Sequence, residues 1–120
     1  MKQVLFILLV FISLQGFAQK SVKLKEIGLQ VMEEHLGKMD WDEAKKMCED
    51  LGKKWRLPTK DELYKMYKYK DLIGGFKDDY YWSSTEGGYG DAWLFNFRNG
   101  NSDNYVKFNE FYVLAVRDLK

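Results

Sequence analysis

The spacing of apolar positions along the chain changes character several times, and each change marks a boundary. Val4 to Leu14 is an almost unbroken apolar run with Ser13 as its one interruption. Ile27 to Glu33 alternates, with Leu29, Val31 and Ile27 on one face, and predicts a first strand. From Asp40 the period becomes helical. Trp41, Ala44, Cys48 and Leu51 share one face with Met47 beside them, while Lys45, Lys46, Glu49 and Asp50 fall elsewhere. Asp40 is a good N-cap, Glu43 stands where a capping box needs it, and Gly52 is the expected stop. Leu57 precedes Pro58 and is pushed towards an extended backbone. Thr59 then caps a second helix, with Glu62 completing its capping box. Its inner face is Leu63, Met66 and Tyr67, Lys70 lies at its end, and Gly74-Gly75 breaks it. Ser21 to Glu26 reads as a charged, loose lead-in, and Gly37-Lys38-Met39 as a connector.

Beyond Tyr80 the period becomes two. Tyr81-Trp82-Ser83 reads as a strand, and Glu86-Gly87-Gly88-Tyr89-Gly90 as a flexible loop. Ala92 to Phe97 alternates as a second strand. Arg98-Asn99-Gly100-Asn101 is a hairpin signal, because Asn-Gly accepts the positive φ that tight turns need. Tyr105 to Phe108 is the expected return strand. Phe111 to Val116 is apolar on both faces, as a central strand would be. Helices first and strands later predict an α+β domain: two helices packed on a small antiparallel sheet.

The opening apolar run changes the reading of residues 1–19. Lys2 gives a positive start, and Gly16-Phe17-Ala18 offers small residues at a cleavage site, so the segment predicts a secretory signal peptide. A membrane anchor needs roughly 20 apolar residues, and the run is shorter. No cysteine lies near the cut to carry a lipid. Residues 20–120 are then one exported domain, secreted or periplasmic, with no membrane span after cleavage. Without Lys2 the 19 Lys and Arg fall to 18, against 18 Asp and Glu. That balance gives no basic stripe for nucleic acid.

Candidate chemistry is sparse. Cys48 is the only cysteine, which excludes an internal disulfide and zinc-finger sites. Its place on the apolar helical face predicts burial, with an intermolecular disulfide as the alternative. His35 is the only histidine and is read as solvated at a strand end. Ser83-Ser84-Thr85 lacks the flanking glycines of a nucleophile elbow and is read as bonding backbone in a turn. Asp78, Asp79 and Asp103, with Asn101 and Asn104, carry calcium-type oxygens, but their spacing fits no EF-hand and hairpin tips favour the same residues. The chain is therefore expected to be neither an enzyme nor a cofactor carrier.

The order of its motifs is more specific than any one of them. Asp40-Trp41-Asp42-Glu43-Ala44, Cys48, Leu51-Gly52, Trp55-Arg56-Leu57-Pro58-Thr59 and Glu62-Leu63 are followed by Tyr81-Trp82-Ser83-Ser84, Ala92-Trp93, Asn99-Gly100 and Val116-Arg117. From about Leu29 to Arg117 this resembles the bacterial, secreted Lcl C-terminal-domain-like family. The resemblance implies a branch of the C-type lectin-like fold and an exported binding module, with no reaction. The chain departs from calcium-dependent lectins. Its one proline is Pro58, Trp93 is followed by Leu94 and Phe95, and the usual disulfide partner of Cys48 is absent. A formylglycine-generating activity, on a related fold, needs a cysteine pair that is lacking here.

Aromatic residues, 17% of the chain, are the main functional hint. Trp41, Trp55 and Trp82 are assigned to the core. Arg56 and Arg117 are expected to be partly buried and paired with carboxylates such as Glu62 or Asp118, fixing helix to sheet. Exposed rings stack on sugars and anchor protein interfaces. The candidate ligand surface therefore joins Tyr80, Glu86, Tyr89, Asp91 and Trp93 around the glycine loop with Asn99, Asn101 and Asp103 at the hairpin tip. The expected role is a calcium-independent binding module for a polysaccharide, glycan or envelope protein, with a purely structural envelope accessory as the alternative.

Overall fold

Both long helices start where their caps dictate. In the computed structural model, which describes residues 20–120, Asp40 and Thr59 each close a full capping box with Glu43 and Glu62. The strands before the helices are β1 (Ser21–Leu24), β2 (Leu29–Met32) and β3 (Lys38–Met39). The helices are α1 (Trp41–Asp50), α2 (Lys60–Lys68) and the one-turn α3 (Lys70–Ile73). The later strands are β4 (Tyr80–Gly88), β5 (Asp91–Asn96), β6 (Ser102–Val106), β7 (Phe111–Tyr112) and β8 (Val116–Asp118). The expected leader, residues 1–19, lies outside the described residues.

The fold is α+β as expected, but its strands form two sheets instead of one. One has the order β1-β2-β8, the other β3-β7-β4-β5-β6. All pairings are antiparallel except β4 with β7, where Tyr81 lies opposite Tyr112. The lead-in is not loose. Ser21–Leu24 pairs with β2, placing Val22 opposite Val31, and Leu24 is buried. The connector contributes β3, which pairs Lys38 with Tyr112.

The two helices do not share one side. Along β4 the pleat sends Tyr81 and Trp82 to opposite faces. Trp82 and Leu94 join Trp41, Ala44 and Cys48 of α1 in one core. Tyr81, Phe95 and Phe97 join Leu63 and Met66 of α2 in a second. The five-stranded sheet is thus sandwiched between α1 and α2, and its central strands are apolar on both faces. Met47, expected beside the inner face of α1, is exposed instead.

Phe111–Val116 is not one central strand. Phe111–Tyr112 belongs to the larger sheet, and Val116 has already crossed to the smaller one as the start of β8. Between them Val113 and Ala115 enter the α1 core while Leu114 enters the α2 core. The segment is apolar on both faces because it threads between two cores. Its backbone groups are satisfied on the way: Val113 N–H donates to Gly37 O, and Ala115 O accepts from Met32 N–H. Arg56 and Val116 exchange both of their backbone bonds.

Candidate functional site

The run Ser83-Ser84-Thr85 is a junction within a strand, where a turn was expected. It lies inside β4, where the pairing with β5 shifts register between Trp82 and Glu86. That bulge turns backbone groups towards both helices. Trp41 Nε1 donates to Ser83 O at 2.8 Å, and Trp82 Nε1 to Met39 O at 2.9 Å. On the other side Ser84 N–H donates to Pro58 O at 2.8 Å, and Lys60 N–H to Thr85 Oγ1 at 3.0 Å. Ser83 itself is buried. Its Oγ donates to Trp93 O and accepts from Thr85 N–H. The Thr85 hydroxyl holds α2 to the sheet, and the Ser83 hydroxyl braces β4 against β5.

Beyond the bulge β4 continues to Gly88, so the glycine-rich stretch is not a flexible loop. Only Tyr89 and Gly90 form the turn, with φ of 50° and 83°. Two successive left-handed residues are what a two-residue hairpin needs, because that twist matches the strands. Tyr89 accepts a backbone state that a non-glycine residue avoids, and its side chain is fully exposed. Gly87 leaves room for the Asn104 side-chain amide, which a Cβ there would meet.

The tip is latched to the body through Lys107. Its N–H donates to Gly90 O, and its carbonyl accepts from Trp41 N–H at the start of α1. Its ammonium lies 2.6 Å from Glu86 Oε1 and 4.1 Å from the Trp41 ring centroid. The hydrogen bond to Lys107 holds the Glu86 carboxyl below its usual range. Phe108, next in the chain, is 89% exposed.

The other candidates divide. Tyr80 packs edge-on against Phe111 and is half-buried. Asp91 opens β5, half-buried, opposite Val106. Trp93 is half-buried, with Lys60 Nζ 3.9 Å from its ring centroid, so one face of the indole is covered. Asn99 Oδ1 accepts from Asn101 N–H within the second hairpin. Asp103 sits in β6, its Oδ1 accepting from Asn104 N–H. The two tips do not form one surface. The turn at Tyr89 precedes β5 and the turn at Asn99 follows it, so a strand of roughly 17 Å separates them. Among the described residues no group of three or more His, Cys, Asp or Glu side chains is placed to hold a metal ion.

Arg56 meets its expectation more fully than Arg117. Arg56 Nη1 and Nη2 bond Glu62 Oε1 and Oε2 at 2.8 and 2.9 Å, and Nη2 also reaches Asp118 Oδ1 at 2.7 Å. The Glu62 bonds raise the guanidinium pKa further, against the opposing effect of burial. Burial pushes the Glu62 carboxyl up, but bonds from Arg56 and from Thr59 N–H outweigh it and leave it low. Arg117 pairs with no carboxylate among the described residues. Its Nε donates to Gln30 Oε1, its Nη1 to Lys53 O, and its guanidinium lies 4.5 Å above the Trp55 ring. His35 is not solvated either. Nδ1 lies 2.8 Å from Tyr81 Oη, the ring packs edge-on against Phe76, and burial lowers its pKa. Cys48 is a buried, free thiol, pushed up to about 12 by burial.

Phe108, Lys107 and Lys60 were not singled out by sequence reasoning. The signal available for Phe108 was its place just past the alternating Tyr105-Val106 pair, next to Asn109, where a chain turns.

These features define a small α+β domain whose chemistry-bearing side chains mostly serve as braces and whose most exposed rings are Tyr89 in the β4–β5 turn and Phe108 after β6. The chain belongs to the Lcl C-terminal domain family, whose model matches residues 19–117. No curated protein matches it.

Proposed function

We propose that this chain is an exported, non-catalytic binding module that takes a glycan or an envelope protein at the β4–β5 hairpin tip without calcium. The leader pattern in residues 1–19 supports export to the periplasm or beyond, with no span left after cleavage. No helix among the described residues is long and apolar enough to cross a membrane. The equal totals of acidic and basic residues outside the leader speak against a nucleic-acid partner. The order of motifs, and the pairing of the first and last strands through β2, support a lectin-like branch of the α+β class.

One observation carries the reading. Tyr89 presents a fully exposed ring from a left-handed position in a tight turn. Folding favours neither the exposure nor the conformation, whereas a ring on a rigid hairpin is suited to stacking on a pyranose or filling a partner's pocket. A second reading, an envelope accessory protein without a small ligand, is favoured by β6. Every residue of this edge strand is exposed, and Tyr105, Val106 and Phe108 offer apolar area beside its unpaired backbone edge.

The test is a glycan and polysaccharide screen on the exported protein, with and without chelator, repeated with Tyr89→Ala and Phe108→Ala. Binding that survives chelation and is lost in Tyr89→Ala supports the tip. Binding abolished by chelator overturns the calcium-independent reading. Failure on every glycan, with capture of a defined envelope protein lost on Phe108→Ala, transfers the role to the accessory reading.

A further inference from the structure

We propose that a cationic groove on the three-stranded sheet binds a phosphate ester, at a site separate from the hairpin tip and resting on none of its residues. The register builds it. Lys23 of β1 lies opposite Gln30 of β2, which lies opposite Arg117 of β8, so one row crosses the outer face of the sheet. The inner face of the same strands buries Val31 and Val116. Lys53, Lys54 and Lys120 line, with this row, a groove of about 660 Å³. That volume lies within the usual range for small-ligand sites.

Besides the terminal Lys120, five cations line the groove against the Asp118 side chain. Arg56 is already neutralised by Glu62 and Asp118. Lys23, Lys53, Lys54, Lys120 and Arg117 remain without a carboxylate partner. The groove therefore concentrates positive charge in a domain whose overall balance is even, and leaves it uncompensated.

The Lys53-Lys54 segment is held in an unfavourable shape. Lys53 and Lys54 both have left-handed backbones, φ 53° and 68°. Glycine or asparagine suits such positions, and lysine does not. Arg117 fixes the turn by donating to Lys53 O while its guanidinium covers Trp55. Two ammonium groups are thus kept at a place where folding alone would select other residues.

The kind of cation selects the anion. Arg56 is engaged with Glu62 and Asp118, and Arg117 spends Nε and Nη1 on Gln30 and Lys53 O, so most of the free donors are lysine ammoniums. These are adaptable point charges, without the planar fork that matches a carboxylate. Among anions of similar size, a doubly charged phosphate monoester gains more from such a cluster than a singly charged sulfate ester or carboxylate.

Calorimetric titration of the exported protein with inositol hexakisphosphate tests this. Saturable binding that weakens steeply between low and 0.5 M salt is expected. Lys53→Gly/Lys54→Gly should lower affinity about tenfold or more, as the loss of two close charges implies. The same variant should melt at or above the wild-type temperature, because glycine relaxes the left-handed turn. Tyr89→Ala should leave the affinity unchanged, which separates this site from the tip. Cosedimentation with phosphatidate vesicles would assign the ester to a lipid headgroup, and binding of the soluble probe alone to a free ester. The proposal is overturned by absence of probe binding, by undiminished affinity in the glycine variant, or by heparin or polygalacturonate binding as tightly as the phosphate probe.

Discussion

Replacing Arg56 with alanine tests how the helical layer is tied to the smaller sheet. The side chains of Arg56 and Glu62 are 33% and 20% exposed, and the pair is bidentate. Asp118, the other partner, is 79% exposed. Breaking a fully buried pair costs about 3–5 kcal/mol, because one charge is left stranded. An exposed pair contributes about 0–1 kcal/mol. Glu62 lies between these limits and keeps its bond from Thr59 N–H at 2.8 Å, so Arg56→Ala should cost about 2–3 kcal/mol. For a domain of this size that is a fall in Tm of roughly 8–20 °C. The pH dependence identifies the cause. The folded Glu62 pKa lies below its ordinary value of 4.5. Such a carboxylate contributes stability that is present above the unfolded pKa and lost as pH falls through the folded one. The penalty of Arg56→Ala should therefore be full at pH 7 and shrink as pH drops below about 4.5. Thermal and urea unfolding followed by circular dichroism at pH 7 and pH 3 read both quantities. A Tm change under about 3 °C at pH 7, or a penalty of equal size at both pH values, would refute the bracing role.

Gly100→Ala should lose about 2 kcal/mol in the same assay, since φ is +78° and the new Cβ would stand 2.9 Å from Tyr67 Cε2; a change below 0.5 kcal/mol would contradict the close approach. Cys48 should resist alkylation at pH 8 until the protein unfolds, because its thiol is buried and its pKa pushed up to about 12; rapid labelling of folded protein would show the face of α1 to be open. His35 is held below its usual pKa of 6.5, so its unfolded form takes up protons first and stability should fall as pH drops below about 6.5. Tm measured from pH 7.5 to 5 should show that decline in the wild type and a flatter profile in His35→Phe, whose equal steepness would exclude the histidine as the source. Tyr89→Ala should shift stability by less than about 0.5 kcal/mol, being exposed and in a turn; a larger loss would mean that the ring serves the fold.

Local rules made the helices legible and tertiary contacts made the strands obscure. Capping boxes at Asp40 and Thr59 act within one turn of chain, so α1 and α2 could be read with their inner faces. β1 and β3 could not, because four and two residues carry too little pattern and exist only through partners found far along the chain. The candidate site was half legible. The exposure of Tyr89 was expected from its glycine-rich neighbourhood, and the pairing of Arg56 from its place beside an apolar extended segment. The union of the two hairpin tips failed, because sequence proximity to one strand does not say which end of it a turn occupies.

Composition and local spacing by themselves determined that the domain over residues 20–120 is α+β, that its tryptophans belong mostly to the interior, and that no cysteine pair closes it. Those properties depend on residue type and on neighbours a few positions away. Only the tertiary structure decided that Val113 to Val116 threads between two cores, that Ser83 to Thr85 ties both helices to the sheet, and that Lys23 and Arg117 share one row. Each of these depends on pairing register, and register is set by the simultaneous burial of side chains far apart in sequence, a condition that no local stretch of residues contains.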